Sequence, residues 1–72
     1  MDIKVFLSVG PMRKSERIIP EWKNKIVNAA IDYPLLHASG VRNFDVLLND
    51  EPSDIYATIQ DGDLIELVPT GG

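Results

Sequence analysis

Asp61-Gly62-Asp63-Leu64-Ile65-Glu66-Leu67-Val68-Pro69-Thr70 reads as a turn followed by a strand. Aspartate side chains bond to nearby backbone amides and glycine supplies the positive φ that tight turns need, so Asp-Gly-Asp is strong turn chemistry. Leu64 to Val68 is apolar at nearly every position, and Pro69 ends the run because it has no N–H to add to a ladder. At the other end of the chain Ile3, Val5, Leu7 and Val9 alternate with Lys4, Phe6 and Ser8, until the turn pair Gly10-Pro11 closes the stretch. These are the two most apolar strands in the chain. They fit the centre of a sheet, side by side and parallel, because a central pair is buried.

The remaining elements fall between them. Ser15 to Ile19 is a weaker extended stretch, and the short connection at residues 10–14 predicts an antiparallel hairpin with the first strand. From Glu21 to about Tyr33 the period changes. At 100° per residue Trp22, Ile26, Val27, Ala29, Ala30, Ile31 and Tyr33 share one arc, with Asn24, Lys25, Asn28 and Asp32 opposite. This predicts an amphipathic helix of about three turns, with Trp22 as core or rim packing, Pro20 and Glu21 in its first turn and Pro34 ending it. Leu35, Leu36 and Ala38 are expected to pack below the helix, and Ser39-Gly40 to turn the chain back. Phe44, Val46 and Leu48 mark a third strand, closed by a turn over Asn49-Asp50-Glu51-Pro52. In residues 53–60, Ile55, Tyr56 and Ile59 fit either a short strand or a single helical turn. The expected class is α+β, a mixed sheet of four to five strands packed on one main helix.

Composition excludes several functions. With 72 residues the chain has room for one modest core, since a domain this small buries only about 60% of its unfolded surface. A deep active-site cavity is not expected. Eleven acidic against seven basic side chains, a net charge of −4, argue against nucleic-acid and polybasic membrane partners. The absence of cysteine removes disulfides, thiolate metal sites and cysteine nucleophiles. His37 stands alone and reads as a surface residue, and Asp61, Asp63 and Glu66 lack the spacing of a calcium loop. No Ser–His–acid set or glycine-rich phosphate loop is present, so the chain is not expected to be an enzyme or to hold a metal. Met1-Asp2-Ile3-Lys4 lacks signal-peptide order and no apolar run approaches a membrane span, which predicts a cytoplasmic protein.

In this order of elements, in Asp61 to Val68 with Pro69 behind it, and in Gly71-Gly72, the chain resembles the β-grasp sulfur carriers, relatives of ubiquitin. These include the small subunit of molybdopterin synthase and the thiamine-pathway carrier. Only Pro69 and Thr70 separate the strand from Gly71, a shorter spacer than the molybdopterin type has. Gly10-Pro11 stands in place of the early Asn-Gly of the thiamine type, so the resemblance is carried at superfamily level.

The resemblance implies a β-grasp domain over residues 1–68 and a flexible tail over 69–72. It implies that an activating enzyme using ATP and magnesium adenylates the Gly72 carboxylate, which sulfur converts to a thiocarboxylate for a sulfur-acceptor synthase. No cofactor would be bound by the chain itself. Gly71 and Gly72, lacking Cβ, can thread a narrow channel and leave the carbonyl carbon open to approach. An alternative is a protein modifier joined through Gly72 to lysines of target proteins by conjugation machinery, for which Lys4, Lys14, Lys23 and Lys25 could serve in chain formation but otherwise read as solvated lysines. A second alternative is a non-covalent interaction domain. In a β-grasp sheet the last strand lies between the first and third, which would make Phe6, Leu47, Leu64 and Val68 neighbours on the face away from the core. That face is the expected partner-binding patch, with Glu66 orienting a basic residue of the partner.

Overall fold

A computed structural model describes residues 1–10, 14–33, 36 and 44–70. Among these the chain forms strands β1 (Asp2–Val9) and β2 (Ser15–Pro20), a 3₁₀ turn (Glu21–Lys23), a short helix α1 (Ile26–Ala29), and strands β3 (Phe44–Leu48), β4 (Glu51–Ser53) and β5 (Leu64–Pro69). The strands make one mixed sheet in the order β2-β1-β5-β3-β4, an α+β architecture. β1 and β5 are parallel, with Phe6 opposite Leu64, Leu7 opposite Ile65, Ser8 opposite Glu66 and Val9 opposite Leu67. The other pairings, β1 with β2, β3 with β4 and β3 with β5, are antiparallel.

Alternation along the strands places the core on one face. Ile3, Val5, Leu7 and Val9 of β1, Ile19 of β2, Phe44 and Val46 of β3, and Ile65 and Leu67 of β5 are buried with Ile26, Ala29, Ala30, Leu36 and Ile59. Leu7, Ile26, Ile59, Ile65 and Leu67 are sealed almost completely, each worth about 1.5–3 kcal/mol relative to exposure.

The helix is shorter than the periodicity predicts. Glu21–Lys23 closes as a separate 3₁₀ turn, Lys25 is extended (φ −116°, ψ 149°), and α1 itself covers four residues. Contacts from residues 54–59 account for the interruption. Lys25 forms an isolated antiparallel bridge with Thr58, and Ile59 N–H donates to the Asn24 carbonyl at 2.8 Å. The carbonyls of Ala57 and Ile55 then accept from Ile26 N–H (3.3 Å) and Val27 N–H (2.8 Å), the free donors at the start of α1. Residues 54–59 are thus neither a strand nor a helical turn but an irregular clamp, with Ile59 as its buried anchor.

Because the helix starts late, Trp22 leaves the apolar arc and is 78% exposed, with the Lys23 ammonium 5.0 Å from its ring centroid. Ile31 is likewise 59% exposed. The expectation of both in the packed face is corrected. Arg17 on β2 secures the chain beyond α1, donating from Nη1 to both carboxylate oxygens of Asp32 at 2.7 and 2.8 Å and stacking 4.9 Å over Tyr33. That bond to Arg17 holds the Asp32 carboxyl below its ordinary pKa. Leu36 is buried as expected. The expectations for Pro34, Leu35, His37, Ala38, Ser39 and Gly40 lie outside the described residues, as do Gly71 and Gly72.

The turn between β3 and β4 is also tighter than the sequence suggests. It consists of Asn49 and Asp50 alone, both with positive φ (52° and 68°), while Glu51 and Pro52 belong to β4 opposite Leu48 and Leu47. Two positive-φ residues in a two-residue loop match the right-handed twist of the flanking strands. Gly10 ends β1 with φ 55°, donates its N–H to the Leu67 carbonyl at 2.9 Å, and would bring a Cβ to 3.3 Å from Pro69 Cδ. Gly10→Ala is therefore expected to lower unfolding stability by about 1–2 kcal/mol, read from urea denaturation, because an L-residue pays for left-handed geometry. An unchanged midpoint would mean that the turn relaxes freely.

Candidate functional site: the outer face of β1, β5 and β3

The residues that alternate away from the core form a second surface. The parallel register sets Phe6 beside Leu64 and Ser8 beside Glu66, and the antiparallel register sets Leu47 on the other side of Glu66 and Asp45 beside Val68. Pro52 of β4 follows Leu47 in the same row. The five expected patch residues therefore share one face. Phe6, Leu47, Leu64 and Glu66 are half-buried and Val68 is 38% exposed. They do not all touch in one block. Phe6 and Leu64 form one row, Glu66 and Leu47 the next, and Val68 lies beyond them next to an aspartate. The Lys14 ammonium sits 5.3 Å from the Phe6 ring centroid, covering the β2 side of the patch, and Ile18 of β2 is 65% exposed on the same face.

The Asp61–Asp63 turn positions β5 under this surface. Lys4 N–H donates to Asp61 Oδ1 at 2.8 Å and Gly62 N–H to the Lys4 carbonyl at 2.7 Å, so the turn prolongs the β1 pairing. Asp63 accepts from Gln60 N–H at 2.8 Å and from Asn49 Nδ2 at 3.1 Å. Asn49 in turn accepts from Leu64 N–H at 3.0 Å. One side-chain network thereby joins the start of β5 to the β3–β4 turn. Asp61 and Asp63 are engaged in structural bonds, and among the described residues no group of three or more His, Asp or Glu could hold a metal.

Glu66 is the polar centre of the face. Its Oε1 is sealed from solvent and accepts no hydrogen bond among the described residues. Hydrogen bonding with Asp50, then removal from water, then the charge of Asp50 push the Glu66 carboxyl above its ordinary pKa. Two carboxyl groups can share a hydrogen bond only while one keeps its proton. Asp50 did not stand out in the sequence reading. The charge distribution could have drawn attention to it: residues 44–72 carry seven acidic side chains and no lysine or arginine.

A separate open groove of about 810 Å³ lies at the other end of the sheet, lined by Met1, Ile3, Asn24, Thr58 and Ile59 among others. The carboxylates of Asp2, Glu21 and Asp61 also line it, and Asp61 already accepts from Lys4 N–H. Among the described residues no helix is long and apolar enough to cross a membrane. No family model, curated protein or solved structure matches the chain.

The Glu66 shift fixes the sign of a pH effect. A carboxyl whose folded pKa is raised binds its proton more tightly in the folded state, so stability falls as pH climbs from the unfolded value through the folded one. Glu66→Gln is expected to match the wild type in acid and to exceed it in stability above the carboxylate range, in urea midpoints taken across a pH series. A variant less stable than wild type at neutral pH would show that the Glu66 charge is stabilising instead.

Proposed function

We propose that the chain is a β-grasp protein of the ubiquitin-like kind that serves as a sulfur carrier, acted upon by a partner enzyme rather than catalysing. The observation that carries this reading is the sheet order β2-β1-β5-β3-β4 with a parallel β1–β5 centre, an antiparallel first hairpin and the helix on one face. Strand β5 runs through the middle of the apolar outer face and continues through Pro69 and Thr70 towards Gly71-Gly72. A partner seated on that face would cover the strand that leads into the tail.

In this reading the Gly72 carboxylate attacks the α-phosphate of ATP on an activating enzyme, pyrophosphate leaves, and an acyl-adenylate forms. A sulfide-level donor then displaces AMP and leaves a thiocarboxylate. On the acceptor synthase the thiocarboxylate sulfur bonds to the acceptor, and water then cleaves the acyl carbon–sulfur bond, leaving the sulfur on the acceptor and returning the Gly72 carboxylate. The chain contributes docking surface and an unhindered terminal carbonyl, and its partner supplies magnesium, ATP and catalysis.

Intact-mass spectrometry of the protein purified from its own cells tests the proposal. The expected species ends at Gly72 and carries the mass gain of one sulfur in place of one oxygen. Attachment of Gly72 to lysine-containing peptides would move the reading to a protein modifier. Only free acid, together with function that survives deletion of Gly71-Gly72, would overturn both and leave a non-covalent interaction domain.

A further inference from the structure

Strand β5 does not end freely. It runs through Pro69, whose partner across the sheet is Phe44 of β3, and Thr70 is the first residue beyond it. On its other side the ladder with β1 closes on the bond from Gly10 N–H to the Leu67 carbonyl at 2.9 Å. Parallel rungs are evenly spaced, so the next one would run from an N–H at position 69 to the Gly10 carbonyl, and proline has no N–H to give. A contact takes its place. The Pro69 ring lies against Gly10, where an added Cβ would stand 3.3 Å from Cδ and 3.5 Å from Cγ, and Gly10 itself has φ 55°. Glycine leaves room for the ring and enters left-handed geometry without strain. The supports on both sides are firm, because Phe44 is buried and Leu67 is sealed in the core. Pro69 is thus the last residue the sheet holds and the point at which the ladder stops.

We propose that Gly10 is a positioning residue for the terminal carboxylate: by seating Pro69 against the end of β1, it fixes where and in which direction the chain leaves the sheet. The proposal rests on the reading that Gly72 is the end activated by a partner, and it adds a dimension of that partner. Thr70, Gly71 and Gly72 follow Pro69. Fully extended, these three residues span at most about 11 Å. The activating enzyme must therefore hold its nucleotide within that distance of the Gly10–Pro69 contact, in a shallow site beneath the surface that receives the end of β5. An enzyme whose nucleotide lies deeper is not served, so the contact also determines specificity. Seating Pro69 lowers the cost of docking as well, because its φ is fixed near about −65° and fewer backbone angles remain to be ordered when the carboxylate is presented.

The test uses the full chain and the variants Gly10→Asn, Pro69→Ala and both together, at a temperature where urea curves show all of them folded. Asparagine accepts positive φ, so Gly10→Asn keeps the turn and adds the Cβ that meets Pro69. In the isolated chain it is expected to shift the Val68 and Thr70 amide resonances and to lower the NMR order parameter of Thr70, with the amides of Val5 and Ile65 unmoved. In protein purified from its own cells, the fraction of chains carrying sulfur at Gly72 is expected to fall about threefold or more, since small displacements of a reacting group slow its reaction steeply. Pro69→Ala removes the ring. In that background the added effect of Gly10→Asn on both readouts is expected to shrink to about half or less, as a double-mutant cycle measures. Equal effects with and without the ring, an unmoved Thr70 amide, or an undiminished sulfur fraction in Gly10→Asn would each overturn the proposal. Wild-type chain that carries no sulfur at Gly72 would overturn the carrier reading and the positioning role together. Sulfur that is present but insensitive to position 10 overturns the positioning role alone.

Discussion

The parallel pairing of β1 with β5 is the constraint on which the rest of the molecule depends. It joins the two ends of the chain and places Leu7, Ile65 and Leu67, all without solvent exposure, at the centre of the core face. A parallel pair cannot be closed by a tight turn, so everything between the two strands serves as the crossover. That crossover contains α1, which covers the core face, and β3 with β4, which extend the sheet beyond β5. The same register assigns Phe6, Leu64 and Glu66 to the opposite face. A slip of one residue would exchange the two faces, and full burial of Leu7, Ile65 and Leu67 resists the slip.

The start of β5 is held with unusual thoroughness for an exposed turn. Asp61 accepts the Lys4 amide, Asp63 accepts from Gln60 and Asn49, and Asn49 accepts the Leu64 amide. The residues that bear the strongest motif in the sequence therefore act structurally. They set the height of β5 relative to β1 and β3, and through Asn49 they orient the turn that carries Asp50 towards Glu66. Core, turn and outer face form one mechanical unit: the network that fixes the strand register also fixes the acid pair.

Strands were more legible than the helix for a physical reason. Alternation has a period of two and repeats within a few residues, so Ile3 to Val9, Phe44 to Leu48 and Leu64 to Val68 announce their buried faces without outside help. Trp22 and Ile31 joined an apolar arc on paper only, because helical periodicity presumes that the helix runs without a break. The break comes from Thr58 and Ile59, which take Lys25 and Asn24 out of helical geometry. Asn24 and Asn28 weaken the local preference as well, since their side chains compete for backbone bonds, and Asn28 Nδ2 does donate to the Lys23 carbonyl. Residues 53–60 could not be assigned from their own pattern, because their carbonyls serve a helix elsewhere in the chain rather than a ladder of their own.

By itself the sequence determined β1, β3 and β5 with their inward faces, the antiparallel hairpin of β1 with β2, the two turns at Gly10 and Asp61–Asp63, and the membership of Phe6, Leu47, Leu64, Glu66 and Val68 in one outward set, but not β4, whose first two residues read as turn. All of these follow from local alternation and local turn chemistry. Only the tertiary structure decided the length of α1, the clamp at residues 54–59, the exposure of Trp22 and the meeting of Asp50 with Glu66. Each of those depends on groups distant in the chain competing for the same backbone donors or the same small region of low polarity. Such competition leaves no periodic trace in the order of residues, because its outcome is set by which groups the sheet register brings within a hydrogen bond of each other.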